Sequence, residues 1–118
     1  MAQDNMSART TLTSAPPYPV ETALKTLGAN LRTARLRRGL SAQELADKIG
    51  VGRYTVADAE RGKPSTAIAV YLAMLWALGL IDQMAPIADP AEDKEGLALA
   101  MGRERKRARA KETLDNDF

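Results

Sequence analysis

The sequence predicts an all-α fold on three observations: apolar residues recur at steps of three and four, cap residues and glycines punctuate those runs, and no β-type alternation of useful length occurs. With 118 residues the chain supports one compact domain and leaves little room for a second independent core. Aromatics are only 4% of the chain, with one Trp and one Phe, so the helices must pack through aliphatic side chains. Cysteine and histidine are both absent. That removes disulfides, thiolate nucleophiles, iron–sulfur clusters, Cys- or His-ligated metals and every Ser-His-Asp or Cys-His arrangement. Carboxylates, lysines and hydroxyls remain, but nothing sets a nucleophile, a base and an orienting group together. The expectation is a protein that is not an enzyme and holds no cofactor or metal.

Residues 1–19 are polar and rich in Ser, Thr, Ala and Pro, and with Pro16, Pro17 and Pro19 disfavouring helix they read as a flexible N-terminal arm. Near Val20 a first helix starts, with Leu24, Leu27, Leu31 and Ala34 on one stripe, and it stops at Gly39 after Arg37 and Arg38. Ser41 followed three places on by Glu44 is a capping box; it opens a short second helix with Leu45, Ala46 and Ile49 on one face and Gly50 as terminator. A third helix follows the turn 50–52, with Val51, Val56 and Ala59 apolar, an outer face mostly polar and Gly62 closing it. Pro64 interrupts the chain, and Ser65 caps a fourth helix to about Leu78 with Ile68, Leu72, Leu75 and Leu78 inward. Val70, Tyr71, Met74, Trp76 and Ala77 make that helix apolar nearly all round, which does not suit the surface of a small monomer. Two coverings are open: a short fifth helix over 80–84 folding back, or a second copy of the chain meeting it through Tyr71, Met74, Trp76, Leu80, Ile81 and Met84. Pro86 and Pro90 break the chain again. The expected organisation is therefore an arm at 1–19, a domain at 20–85 and a charged C-terminal tail at 86–118, flexible or partly helical.

The formal charge of +2 conceals strong blocks. Residues 28–63 carry eight bases and four acids, 82–95 five acids and one base, and 103–111 six bases and one acid, Glu104. Such segregation suggests a polyanion-binding surface and a tail able to meet a charged partner. For the basic tail, Arg103, Arg105, Lys106, Arg107, Arg109 and Lys111, three roles are open: a DNA-backbone arm, a segment that folds on a protein partner, or a solubilising tail. No run of about 20 apolar residues is present to span a bilayer, and the start lacks the apolar segment of a secretory signal, so the expected location is the cytoplasm, with no membrane partner.

Two short helices joined by a tight glycine turn, the second outwardly polar, form a helix-turn-helix, in which the second helix of the pair enters the major groove. Residues 41–64, SAQELADKIGVGRYTVADAERGKP, together with Leu31, Arg35, Gly39 and Leu40 upstream and Leu78, Gly79 and Leu80 downstream, resemble the Xre, phage-repressor-like helix-turn-helix family. The resemblance covers about half of the chain and implies a five-helix repressor-like domain that dimerises on a double-stranded operator with inverted repeats, on the bacterial nucleoid. Residues 87–90 (IADP) and 96–100 (GLALA), followed by the basic cluster, look like the tail of HipB-like antitoxins. That narrower resemblance implies an autorepressor that also holds a HipA-type kinase toxin, or its split HipS and HipT form.

On the third helix Arg53, Tyr54, Thr55 and Asp58 are the candidate base contacts: a guanidinium can bridge guanine O6 and N7, Thr55 suits a phosphate or a thymine methyl, and Asp58 could accept from cytosine N4. Gln43, Arg38, Arg61 and Lys63 are the candidate backbone contacts. For each of these the plain alternative is solvated helix surface. Arg35 and Glu60 are read differently, because the family resemblance implies an ion pair tying the first helix to the third. Three positions depart from the family pattern. Gly52 stands where Ser or Thr usually caps the third helix, and Ala42 and Tyr54 stand where Gln is frequent, so the base preference opposite 54 does not transfer. Two other readings stay open: a stand-alone regulator without a toxin, and an interaction adaptor that keeps the fold without binding DNA.

Overall fold

In the computed structural model residues 11–116 are described, the side chains of 115 and 116 excepted, and they are helical throughout with no strand among them. The first ten residues of the expected arm lie outside the described residues. A helical turn at 11–14 precedes α1 (Tyr18–Arg37), α2 (Ala42–Ile49), α3 (Arg53–Glu60), α4 (Ile68–Ala77), a 3-10 turn (Ile81–Met84) and α5 (Lys94–Asn116). The chain divides into two compact units, residues 1–82 and 83–118.

α1 begins two residues before the expected start, so Tyr18 and Pro19 belong to helix and not to the arm. Proline is compatible with the first turn because the N–H groups there have no intrahelical acceptor to lose. α2 opens on the expected capping box: the Glu44 N–H donates to Ser41 Oγ at 3.0 Å and the Ser41 N–H to Glu44 Oε1 at 3.1 Å. The Ser41 N–H holds the Glu44 carboxyl below its ordinary pKa, since the bond favours the charged form. α2 ends on Gly50 at φ 76°, a left-handed cap that residues with a Cβ adopt only at a cost.

α4 begins later than expected. Ser65 does not cap it; Pro64 and Ser65 form a turn closed by the Thr66 N–H on the Lys63 carbonyl at 3.0 Å, and α4 starts at Ile68 after Ala67. Its rotation also differs. Ile68 is 65% exposed, whereas Tyr71, Met74, Leu75 and Leu78 are buried with Leu31, Leu45, Ala46, Val56 and Ala59 in one aliphatic core. Tyr71 and Met74 are therefore spent on the protomer's own interior, at 2% and 0% exposure, and are not available to a second copy. Sequence periodicity could not fix this, because a helix apolar on all sides has no preferred face. The outward stripe is Ile68, Leu72 and Trp76, at steps of four, with Trp76 64% exposed. The short fifth helix appears as the 3-10 turn, where Leu80, Ile81 and Met84 are half-buried.

The second unit holds α5, one continuous helix of 23 residues where the sequence suggests a flexible or partly helical tail. Its sequence is dominated by Ala, Leu, Glu, Lys and Arg, the residues that lose least on entering a helix. Asp93 starts it, its Oδ1 accepting from the Gly96 N–H at 3.0 Å and its carbonyl from the Leu97 N–H at 3.1 Å. From residue 94 to 114 every side chain on α5 is exposed, and Leu97, Leu99, Met101 and Leu114 form no continuous stripe.

Candidate nucleic-acid interface

α2, the turn 50–52 and α3 make the helix-turn-helix. Gly50 reverses the chain, the Val51 N–H returns to the Ala46 carbonyl at 3.1 Å, and Gly52 in extended conformation leads into α3 without a side-chain cap. Leu45, Ala46, Val56 and Ala59 face inward and fix the two helices against each other. The opposite side of α3 is then turned to solvent.

The pose of α3 is set at its C-terminal end, by α1. Arg35 Nε and Nη2 donate to Glu60 Oε2 and Oε1 at 2.7 and 2.8 Å, and Nη1 donates to the Leu40 carbonyl at 2.8 Å. Both side chains are more than nine-tenths buried, and the Glu60 carboxylate holds the guanidinium above its ordinary pKa. The ion pair implied by the family resemblance is thus formed, as a bidentate fork, the strongest geometry for this pair of groups. Two glycines complete the lock: Gly28, which the sequence pattern does not single out, and Gly62, which it marks only as the end of the third helix. A Cβ on Gly28 would meet the Ala59 and Glu60 carbonyl oxygens at 2.5 Å, and one on Gly62, at φ 72°, would meet the backbone of Leu24 and Lys25 at 2.6 Å. The backbones of α1 and of the α3 terminus touch directly at both places. A glycine in mid-helix is the one trace of this in the sequence, since Ala would otherwise be favoured there.

The predicted base contacts lie together on the outer face of α3. Arg53 and Tyr54 are exposed, Tyr54 at 72%, and Thr55 and Asp58 are partly covered. Arg53 and Tyr54 form one unit: the guanidinium carbon is 5.0 Å from the ring centroid and Nη2 donates to the Tyr54 hydroxyl at 3.1 Å. This cation–π stack extends the guanidinium along the ring and leaves other N–H groups of its fork free for an acceptor.

Asp58, on the same face, meets two neighbouring cations. Its Oδ1 accepts from Arg61 Nη2, and its Oδ2 lies 3.5 Å from Lys63 Nζ. One carboxylate therefore gathers two of the expected backbone-binding cations, and the i, i+3 spacing of Asp58 and Arg61 is the signal in the sequence that points to it. The remaining backbone candidates also have local partners. Gln43 Nε2 donates to Asp47 Oδ1 at 2.8 Å, and Arg38 Nη1 donates to the Ala34 carbonyl at 2.8 Å, closing the C-terminal turn of α1. Both side chains are exposed. Beside Arg61 and Lys63 an open cleft of about 580 Å³ runs past Lys25, Glu21 and residues 13–16, so part of the expected arm forms a wall next to these cations.

No helix among the described residues is long and apolar enough to cross a membrane. The family description of the helix-turn-helix domain matches residues 26–85. Over 61 residues the chain is 41% identical to an uncharacterised HTH-type transcriptional regulator, y4mF, of Sinorhizobium fredii (strain NBRC 101917 / NGR234), an alignment covering 51% of this chain and 80% of that protein. No solved structure matches the chain. The matched span begins within α1 and contains the whole of α2, the glycine turn, α3 and α4, and with half of its length so accounted for the chain belongs to the helix-turn-helix domain family.

Proposed function

We propose that the protein is a sequence-specific DNA-binding transcriptional repressor that acts as a homodimer and serves as the antitoxin and autoregulator of a HipA-type kinase toxin. The observation that carries the DNA part is the exposed Arg53–Tyr54 stack on the first turn of α3, held in place by the Arg35–Glu60 fork. A recognition helix reads base edges from its N-terminal residues, so the stack stands where readout occurs. Arg61 and Lys63, just past α3, supply phosphate contacts that fix register. The relative's description as an HTH-type transcriptional regulator supports the same assignment.

The decisive experiment titrates the protein on its own promoter DNA and on scrambled DNA across salt, with Arg53→Ala alongside. A promoter preference of at least about 10³-fold that collapses in Arg53→Ala supports specific readout. Equal binding to both DNAs, or none, refutes it.

Dimerisation is supported by the Ile68–Leu72–Trp76 stripe, an apolar surface of the kind that marks association sites. A twofold dimer would take half-sites about 34 Å apart or a multiple of that. Trp76→Glu is expected to give a monomer by sedimentation with an unchanged helical spectrum and weakened promoter binding, and a dimer that survives the substitution removes this face from the assembly. The toxin partner rests on the tail resemblance at 87–90 and 96–100. Its test is co-purification with the product of a neighbouring kinase-like gene, whose kinase activity must fall in the complex. The relative's description as an HTH-type transcriptional regulator fits equally a second reading, a stand-alone regulator.

A further inference from the structure

α5 carries six cations between residues 103 and 111, and none of them is in an ion pair among the described residues. All six are exposed. At 3.6 residues per turn each residue advances about 100° around the axis, which sorts the six into rows. Arg103, Arg107 and Lys111 lie on one side, Arg105 and Arg109 fall about 180° from the middle of that row, and Lys106 stands between the two. The faces separating the rows hold Glu104 and Ala108 on one side and Lys106 and Ala110 on the other. Two opposed cationic rows are poorly suited to a protein surface. A helix docked on protein satisfies one side only and needs an apolar stripe, which 103–111 lacks.

We infer that α5 is a second DNA-binding element, which lies in the major groove of duplex DNA with one cationic row toward each phosphate wall. The dimensions agree: a helix with its side chains is about 10–12 Å across, and the major groove is about 12 Å wide. The face with Lys106 and Ala110 turns to the groove, and the face with Ala108 and the acidic Glu104 turns away from the DNA. Because five of the six cations face the two phosphate walls, the contact is to the backbone and independent of sequence, adding affinity to the recognition carried by α3. Within each row the like charges at i, i+4 repel one another, so phosphate neutralisation also strengthens the helix.

This inference rests on the DNA-binding reading, and its test separates the two. The full chain is titrated on a random-sequence duplex across salt, with two variants made at helix-compatible glutamine: the triple Arg103→Gln, Arg107→Gln, Lys111→Gln, and the double Arg105→Gln, Arg109→Gln. The slope of log affinity against log salt should fall by about 2.7 in the triple and about 1.8 in the double, at about 0.9 for each phosphate that is no longer neutralised. Added duplex should raise the helical signal of the full chain more than that of either variant, while the promoter preference measured through Arg53 persists in both. An unchanged slope in both variants overturns the inference and leaves the α3 reading standing if the promoter preference is intact. A change confined to one row also overturns it, since that is the signature of a helix lying on a single strand or on a protein. Absence of any duplex binding by the parent chain refutes both readings together.

Discussion

Gly28→Ala tests whether the pose of the recognition helix depends on direct backbone contact. By propensity alone the change should help, since removing a glycine from the middle of α1 stabilises by roughly 0.5–1 kcal/mol. The structure reverses the sign. The new Cβ would stand 2.5 Å from the carbonyl oxygens of Ala59 and Glu60, where ordinary contact begins at 3.4 Å, so α1 and the end of α3 must separate by about 0.9 Å. Neither obstacle is a flexible side chain; both are main chain, and Glu60 is also held by the Arg35 fork. Overpacking of this kind costs about 1–3 kcal/mol, leaving a net loss of up to about 2.5 kcal/mol after the propensity gain, about 1.3 kcal/mol at the midpoints. For a domain of this size the midpoint loss lowers Tm by about 5–10 °C. Gly52→Ser supplies the control with the opposite sign. A Cβ there meets nothing within 4 Å, and the hydroxyl adds the cap that α3 lacks, worth a few tenths of a kcal/mol. Thermal melts followed by circular dichroism decide the matter, with promoter titrations reporting the displacement of α3. A Gly28→Ala melt at or above that of the parent protein would refute the backbone-contact argument.

Other perturbations act on the same lock and on the charges beside it. Glu60→Ala leaves a buried guanidinium without its counter-charge and should cost about 3–5 kcal/mol, whereas replacing both partners with apolar residues, Arg35→Met with Glu60→Leu, should recover most of that loss in chemical denaturation; equal losses in the single and double variants would show that the pair is not coupled. Asp58→Asn releases Arg61 and Lys63 from their shared carboxylate, so binding to random DNA should tighten and the salt slope steepen by up to about 1.8, with the promoter-to-random ratio shrinking. A loss of affinity for one base pair only, with the slope unchanged, would restore Asp58 as a base reader. For the α2 capping box the sign follows from the lowered Glu44 pKa: its contribution is complete above the unfolded carboxyl value near pH 4.3 and disappears as pH falls through the folded value. Melts of the parent protein and Glu44→Gln should therefore converge on acidification, and a gap that persists undiminished to about pH 3 would argue against the bond as its source.

What is legible in the sequence and what is hidden divide along a physical line. Elements marked by side-chain chemistry are readable: Ser41 and Glu44 make a capping box wherever they open an amphipathic helix, and Gly50 can be read as a left-handed stop because only glycine enters that region cheaply. The polar outer face of α3 is readable for the same reason, so the exposed Arg53 and Tyr54 can be named from the sequence while their stacking cannot. The face of α4 is not readable, because Ile68, Tyr71, Leu72, Met74 and Trp76 are all apolar and the choice among them is made by the shape of the core, which takes Tyr71 and Met74 and leaves Ile68 and Trp76 outside. Asp58 is ambiguous in the sequence because a carboxylate on a recognition face suits a base as well as it suits a neighbouring cation; the i, i+3 spacing to Arg61 points to the pairing, and the structure forms it. Least visible is the contact that aims α3 at its target. Where main chain meets main chain no side chain is present to carry a pattern, and the trace of the contact is a missing Cβ: Gly28, which helix propensity counts as a defect, is tolerated because the carbonyls of Ala59 and Glu60 occupy the space that alanine would need. On the proposed reading, specificity in this interface therefore depends on two kinds of residue with opposite visibility, exposed side chains that meet the ligand and buried absences that set the angle at which they meet it.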